Sequence, residues 1–210
     1  YGSEDGKEKA LLLASKNFKI ATQLQSNYFD AWVAWGNVLL QLGRFHEEHH
    51  FLIEAKDKYQ KALEYAENQP KELLAELYWD YGIAWSEIAQ HSGEALDLRL
   101  AIESYEMSKS CQENPSPEFW NDCGKAYLEM GLLINDSRFY LQSIEHLHRA
   151  VSKSPHYFDG WMSLAESYSQ LYINTLDERY VAKASDAYAA ASKVSPQDPE
   201  VWLSWGQLLG

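Results

Sequence analysis

The residues in this sequence that come nearest to a catalytic motif are a cluster of histidines and glutamates at positions 46–50. His46 and His50 are four residues apart and Glu47 follows the first histidine, which gives the pattern H-E-x-x-H. On a helix the two imidazoles would share one face and could hold Zn²⁺, and the glutamate could act as a general base. The surrounding sequence offers no third ligand and no substrate cleft, because the cluster falls where a hairpin tip is expected. We therefore predict a solvated helix start and no metal site, with adventitious binding of a divalent cation as the alternative.

The other residue types form no further catalytic arrangement. Cys111 and Cys123 are the only cysteines, too few for a disulfide framework, and we interpret both as small buried hydrophobes in a reducing compartment. No glycine-rich phosphate loop and no G-x-S-x-G motif occurs. The sequence thus predicts no catalytic residue and no cofactor, and we expect a protein that is not an enzyme.

The charge balance limits the classes of partner. The formal net charge is −13 over 210 residues, and Lys and Arg are scattered. Nucleic-acid binders carry a basic stripe and anionic membranes attract basic segments, so we expect no nucleic acid and no membrane insertion. RNA binding stays open only as the least favoured alternative. No apolar run approaches the ~18 residues of a membrane span, and the polar start does not resemble a signal peptide, which predicts a cytoplasmic protein.

Two sets of small residues recur through the chain at regular steps. The first set occupies positions 36, 82, 124, 165 and 206, and the second occupies 21, 62, 108, 150 and 191. Within each repeat the separation between the two is the same, from 36 to 62, from 82 to 108, from 124 to 150 and from 165 to 191. Because two independent positions keep a constant separation, we predict an array of repeats of about 41 residues whose units contact mainly their neighbours.

Apolar residues at three- and four-residue steps predict that every repeat is a pair of antiparallel helices. We expect polar, frayed residues at 1–9, a helix over 10–25, a first helix capped by Asp30 and ended by Gly43, a second helix over 45–66, and a later return helix capped by Ser137. The predicted division is a partial repeat with only its second helix at 1–27, repeats at 28–70, 71–115, 116–156 and 157–197, and the first helix of a further repeat at 198–210.

These repeats resemble the tetratricopeptide-repeat (TPR) family. The family places Trp, Leu, Gly and Tyr on the first helix and Ala, Phe or Tyr, Ala and Pro on the second. The fourth repeat matches with Trp161, Leu164, Ala165 and Tyr168, followed by Ala184, Tyr188, Ala191 and Pro196. The resemblance implies an all-α fold, an α-solenoid of antiparallel helix pairs in a right-handed superhelix. The family repeat is about 34 residues, so the longer repeat here implies about one extra turn on each helix.

The resemblance further implies a concave surface, lined by the first helix of each pair, that binds partners. Apolar and acidic side chains mix there, which would suit an amphipathic or basic peptide. No paired cations occupy this face, so we expect no binding of chaperone C-terminal tails. The predicted partner-binding groove consists of Asn37, Gln41, Trp79, Ile83, Glu87, Asn121, Lys125, Glu129, Met162, Glu166 and Gln170.

The function that these patterns favour is a protein–protein interaction scaffold that holds a partner peptide or helix in the groove. A chaperone for a secreted or assembling client would use the same surface and remains the first alternative. The first helix has no predicted predecessor, and the apolar last helix has no successor. We therefore expect a fragment of a larger protein, with possible self-association through the exposed end helices.

Overall fold

A computed structural model describes residues 4–210, and this part of the chain is entirely helical between its turns. No strand occurs among these residues, which confirms the all-α prediction. None of the described helices is both long enough and apolar enough to cross a membrane. The helices are α1 (Glu4–Leu24), α2 (Phe29–His46), α3 (His49–Leu63), α4 (Lys71–Ser92), α5 (Ala95–Cys111), α6 (Pro117–Ile134), α7 (Ser137–Lys153), α8 (Phe158–Thr175), α9 (Arg179–Val194) and α10 (Pro199–Leu209).

The chain divides into two compact units, Tyr1–Glu113 and Asn114–Gly210. In the first unit α2 pairs with α3 and α4 with α5, while α1 packs on α2 and α3 on α4. In the second unit α6 pairs with α7 and α8 with α9, while α7 packs on α8 and α10 on α9. The assignment of residues 1–210 to one continuous array stays a prediction.

Each unit has its own apolar core at the interfaces of its helix pairs. The first core includes Leu42, Leu52 and Tyr59, and the second includes Leu147, Tyr168 and Val201. Five of these six residues are essentially inaccessible to solvent, and Tyr168 is 6% exposed. Burial of this apolar surface supplies the main favourable contribution to folding.

The small residues predicted from the repeat allow close approach of paired helices. A Cβ added at Gly36 would come within 2.5 Å of the Tyr59 ring, and one at Gly82 would come equally close to Tyr105. At Gly124 the obstructing side chain is Leu147, at the same distance. The glycine and the obstructing residue are the same number of residues apart in all three cases. The sequence repeat therefore corresponds to a helix contact that recurs in each pair.

The hairpin tips each contain one residue with left-handed backbone geometry. These residues are Glu47, Gly93, Asn135 and Leu176, with φ values of 54°, 69°, 53° and 57°. They follow the small residues at positions 36, 82, 124 and 165 by one constant step. The turns therefore recur in the same register as the helix contacts.

The prediction that Gly43 ends the first helix is wrong. The helix α2 continues to His46, and Glu47 takes the left-handed position instead. A Cβ at Gly43 would lie 2.5 Å from Leu52 Cδ2, so this glycine permits close packing of α3. The second helix consequently begins at His49 and ends at Leu63, inside the predicted 45–66.

Three further predictions at helix ends require correction. Asp30 lies inside α2, which has no side-chain cap, and Tyr28 is its N-cap residue. Asp136, not Ser137, caps α7 by accepting a hydrogen bond from the Arg138 backbone N–H at 3.0 Å. The helix α1 begins at Glu4, so residues 4–9 are helical, while the predicted fraying of residues 1–3 lies outside the described part.

Tryptophan side chains make the same hydrogen bond near the start of three helices. Trp32, Trp161 and Trp202 each donate an indole hydrogen bond to the carbonyl oxygen six residues earlier, at 2.8, 2.9 and 3.1 Å. The acceptors are the carbonyls of Ser26, Pro155 and Pro196. This contact explains why a tryptophan recurs near the start of the first helix of a repeat.

Candidate functional site

The second unit contains a groove formed by α6, α8, α9 and α10. Its volume is about 510 Å³, within the range of roughly 300–1,000 Å³ typical of ligand pockets. Residues of α8 form most of one wall, and residues of α10 face them. The lining consists of Lys125, Phe158, Asp159, Met162, Ser163, Glu166, Ser169, Gln170, Tyr172, Ile173, Tyr188, Glu200, Ser204, Gln207 and Leu208.

Some of the groove residues predicted in the second half of the chain lie together in this cavity, namely Lys125, Met162, Glu166 and Gln170. Asn121 is instead buried, 4% exposed, and its Oδ1 atom has no hydrogen-bond partner in the described part of the chain. Glu129 is half-buried on α6 and is not part of the lining. Contact of any of these residues with a partner stays a prediction.

Sequence reasoning missed the contribution of α10 to this groove. Glu200, Ser204 and Gln207 face the cavity from α10. They lie one repeat step after Asp159, Ser163 and Glu166, which line the cavity from α8. A full repeat step applied to the predicted groove residue Glu166 would have identified Gln207, but not Glu200 or Ser204.

The groove is predominantly acidic at its rim. Asp159, Glu166 and Glu200 supply three carboxylates, and Lys125 supplies one amine. Burial raises the pKa of Glu166, Lys125 opposes this shift, and Glu200 adds to it. The site therefore favours a proton or another positive charge beside Glu166.

Tyr188 forms the floor of the groove. The residue is 4% exposed, and burial is the main cause of its raised pKa. Ser169 and Ser204, which lie on opposite walls, lower the pKa of this hydroxyl against the effect of burial. The tyrosine hydroxyl therefore lies between α8 and α10 beneath the cavity.

The predicted groove residues of the first unit have partners within their own unit. Asn37 Oδ1 accepts a hydrogen bond from the Tyr59 hydroxyl at 2.7 Å, and Asn37 lies beside Asp80. Burial raises the pKa of Asp80 to about 6, against the lowering effects of Asn37 and Arg44. Asn37, Tyr59 and Asp80 thus lie together in one polar cluster.

Some of the remaining groove residues predicted in the first unit already form an ion pair or pack against the core. Arg44 Nε donates to Glu87 Oε1 at 2.6 Å, so this carboxylate is already neutralised by a neighbouring helix. Ile83 packs against the first core, Trp79 is half-buried, and Gln41 is exposed. As partner contacts these residues remain predictions.

The H-E-x-x-H sequence does not lie on one helix. His46 is the last residue of α2, Glu48 is the N-cap residue of α3, and the left-handed Glu47 separates the two helices. His46 Nε2 lies 3.3 Å from Glu8 Oε1, whereas His50 Nδ1 lies 3.0 Å from Glu48 Oε2. No group of three metal-ligating side chains occurs among the described residues. The helical geometry that a zincin motif requires is therefore broken by the turn.

Comparisons with known proteins identify the fold. No family model and no curated protein matches the sequence. Among solved structures, YrrB, described as "a TPR protein with an unusual peptide-binding site", has a TM-score of 0.59 at 15% identity, covering 92% of this chain and 82% of its own. TTC0263, a TPR protein of Thermus thermophilus, has a TM-score of 0.57 at 14% identity over 99% of both chains. BtubC from P. vanneervenii has a TM-score of 0.61 at 16% identity, covering 96% and 82%. The chain therefore has the tetratricopeptide-repeat fold that its sequence motifs resemble.

Proposed function

We propose that this chain is a protein-interaction scaffold whose second unit binds a basic, amphipathic peptide segment of a partner protein. The observation that carries the proposal is the groove between α8 and α10, where apolar walls and three carboxylates converge on one cavity. A fold alone does not determine function, so the argument rests on the chemistry of this groove. The peptide-binding site named for YrrB is consistent with such a use of the fold.

The apolar part of the groove supplies the contact area for hydrophobic anchors. Phe158, Met162, Ile173 and Leu208 line the cavity around Tyr188. Methionine adapts its shape to irregular ligands, and apolar side chains at helical spacing recognise amphipathic peptides. A partner with two or three aliphatic or aromatic side chains on one face would fill this surface.

The acidic part of the groove sets the preferred charge of the partner. Asp159, Glu166 and Glu200 lie around the cavity, and Lys125 neutralises only part of their charge. A Lys or Arg side chain would relieve the repulsion between Glu166 and Glu200, whereas a carboxylate would increase it. The groove therefore discriminates basic from acidic peptides with the same apolar pattern.

The direct test compares two labelled peptides of about 15 residues that place Leu at helical spacing and differ only in Lys or Glu at the polar positions. We expect the Lys peptide to bind in fluorescence anisotropy titrations, with an affinity that falls as salt is raised, and the Glu peptide not to bind. Equal binding of both peptides, or of neither, would contradict the proposal.

A charge-reversed pair of variants locates the binding surface. Glu166→Lys places a positive charge inside the groove, whereas Asp186→Lys makes the same change on an exposed position of α9 outside the lining. We expect Glu166→Lys to weaken the Lys peptide at least about tenfold and Asp186→Lys to change it less than about twofold. Equal effects of the two variants would show that net charge alone, and not the groove, attracts the peptide.

A further inference from the structure

The charged residues of the groove lie toward one end of its length. Asp159 and Glu200 are the second residues of α8 and α10, and Glu166 and Lys125 lie near the middle of α8 and α6. Beyond Glu166 the lining residues of α8 are uncharged, and the last of them is Ile173, in the final turn of that helix. From Asp159 to Ile173 the helix rises by roughly 20 Å. The groove therefore has an acidic end and an uncharged end.

The two walls of the groove run in the same direction. The lining residues of α10 at positions 200, 204 and 207 follow those of α8 at positions 159, 163 and 166 by the same repeat step. Because these pairs keep one order along both helices, the N-termini of α8 and α10 lie together at the acidic end. Both walls consequently contribute carboxylates to that end of the groove.

Leu132 and Ile173 extend the uncharged end beyond the cavity. Each lies seven residues after a charged lining residue of its own helix, which is about two helical turns and returns to the same helix face. The ends of α6 and α8 meet, since Asn174 Nδ2 donates a hydrogen bond to Asn135 Oδ1 at 2.8 Å. Leu132 is 45% exposed and Ile173 is 63% exposed. The groove thus continues into an exposed aliphatic surface at the hairpin tips.

The corresponding positions of the first unit carry polar side chains. They are Arg44 and Gln90, and Arg44 donates a hydrogen bond to Glu87 at 2.6 Å. The hairpin of α6 and α7 is followed by α8, which packs on both helices, so the exposure of Leu132 is not that of a terminal helix. Exposed aliphatic residues that continue a groove are typical of a binding surface. The second unit therefore offers an apolar contact that the first unit lacks at these positions.

The acidic end is suited to the side chain of a lysine or an arginine. Met162 lies three residues after Asp159 and four residues before Glu166, so the thioether separates two carboxylates on one face of α8. Long basic side chains pack their methylene groups on such apolar surface while the charged group reaches a polar partner. Charge and shape at this end consequently select the same type of residue.

We propose, on the basis of the function proposed for this groove, that the bound segment is divided along its length, with Lys or Arg residues at one end and aliphatic residues at the other. The basic end lies between the first turns of α8 and α10, and the aliphatic end lies on Ile173 and Leu132. A helical segment of about 14 residues spans this distance. A segment that mixes both residue types evenly would place cations beside the uncharged end, where none of the described lining residues is a carboxylate.

Labelled peptides of equal composition test the order of residues in the bound segment. Peptides of about 15 residues carry the same Lys and Leu residues either mixed evenly, or with Lys first and Leu last, or with Leu first and Lys last. We expect one of the two divided peptides to bind at least about fivefold more tightly than the mixed peptide in fluorescence anisotropy titrations. A mixed peptide that binds as tightly as both divided peptides would overturn this inference and leave the proposed function intact. If none of the peptides binds, both are wrong.

A matched pair of variants outside the cavity locates the aliphatic end. Leu132→Gln and Leu141→Gln remove leucines of similar exposure, 45% and 50%, but Leu141 lies on α7, which contributes none of the described lining residues. We expect Leu132→Gln to weaken the tighter divided peptide at least about threefold and Leu141→Gln to leave its affinity unchanged. Equal effects of the two variants would contradict a contact at Leu132.

A shortened peptide shows whether the two ends of the groove act separately. After removal of its terminal aliphatic residues, the divided peptide should bind wild type and Leu132→Gln with the same affinity, because the contact at the tip is gone. Glu200→Gln should weaken the full-length and the shortened peptide by the same factor, since its contact lies at the acidic end. A shortened peptide that is still weakened by Leu132→Gln would show a general change in the groove and overturn the inference.

Discussion

The two units have a tyrosine at the same repeat position, but the surroundings of its hydroxyl differ. Tyr59 and Tyr188 occupy the same position of their repeats, and both are buried, 0% and 4% exposed. The Tyr59 hydroxyl donates a hydrogen bond to Asn37, which lies beside Asp80. The Tyr188 hydroxyl instead lies between the two walls beneath an open cavity. One backbone arrangement can thus present either a self-satisfied polar cluster or a groove.

The surroundings of the acidic residues also differ between the two units. In the first unit Asp80 is enclosed, with a pKa raised to about 6 by burial, and Glu87 is paired with Arg44. In the second unit Glu166 lies at the rim of the cavity, where it is accessible although partial burial raises its pKa. Carboxylates that are already paired have little to offer a ligand, which is why the proposed peptide site lies in the second unit.

The largest expected effect on stability comes from Gly36→Leu, which disrupts helix packing beneath the polar cluster of the first unit. In Gly36→Leu the new side chain would begin 2.5 Å from the Tyr59 ring, and a buried ring that packs on all sides cannot yield. We expect a loss of about 3 kcal/mol in the free energy of unfolding, measured by denaturant titration with circular dichroism. Gly206→Leu introduces the same residue where α10 is open and should cost nothing. A similar loss in both variants would mean that leucine itself, not the contact with Tyr59, is responsible.

The second prediction concerns the enclosed carboxyl of the first unit. The pKa of Asp80 is about 6 in the folded chain and about 3.9 in an unfolded one, so the folded state holds this proton more tightly. The stability that this group contributes is present below about pH 4 and is lost as pH rises to about 6. Asp80→Asn should therefore raise the free energy of unfolding by about 2 kcal/mol at about pH 8 and leave it nearly unchanged at about pH 4.

The exposed carboxylate Asp186 provides the control for this pH dependence. Asp186→Asn makes the same change of charge at the surface of α9 and should shift stability by less than about 0.5 kcal/mol at either pH. Urea titrations of both variants across this range give the comparison. If Asp80→Asn were no more stable than wild type at high pH, the carboxylate would have to be well solvated, and the enclosure of the first face would be wrong.

Removal of the two hydroxyls tests the contrast between the faces directly. Tyr59→Phe leaves the half-buried Asn37 Oδ1 without the donor that lies 2.7 Å away. We expect a cost of about 1–1.5 kcal/mol, because a partly buried acceptor regains only part of its hydration when its donor is lost. Tyr188→Phe should cost about 0.5 kcal/mol, since water entering the groove can reach Ser169 and Ser204. Equal costs in thermal unfolding would show that the cavity floor is as dry as the first unit.

The sequence predicts the fold well because short residue patterns that recur in every repeat determine the helix pairs. Small residues at constant steps and the Trp161–Tyr168 motif specify paired helices, and the same step from glycine to packed side chain recurs at Gly36, Gly82 and Gly124. Helix ends are less predictable, since a glycine near a helix end can either form the left-handed turn that ends the helix or permit close packing within it. Gly43 permits contact with Leu52, whereas a left-handed turn, its other common role, falls to Glu47.

The candidate site is only partly predictable, because its character depends on contacts between successive hairpins. Arg44 reaches Glu87 across 43 positions in sequence, and Asn37 lowers the pKa of Asp80 across the same separation. No periodic pattern reports such pairs, so Asn37 and Glu87 looked like groove residues as much as Glu166 did. Of the α10 wall only Gln207 was accessible in principle, since it follows the predicted Glu166 by one repeat step.

The smallest expected effect lies at the hairpin tips, where the two units again differ. Gly93 holds the left-handed turn of α4 and α5 in the first unit, whereas Leu176, 76% exposed, holds that of α8 and α9 in the second. A leucine incurs steric strain in this geometry and gains no burial, so Leu176→Gly should stabilise the chain by roughly 0.5–1 kcal/mol in thermal unfolding. Ile173→Gly serves as the opposite control, because this exposed residue lies inside α8 and glycine there should destabilise by about 1 kcal/mol. A destabilised Leu176→Gly would indicate that the leucine side chain contributes contacts at the tip that outweigh its backbone strain.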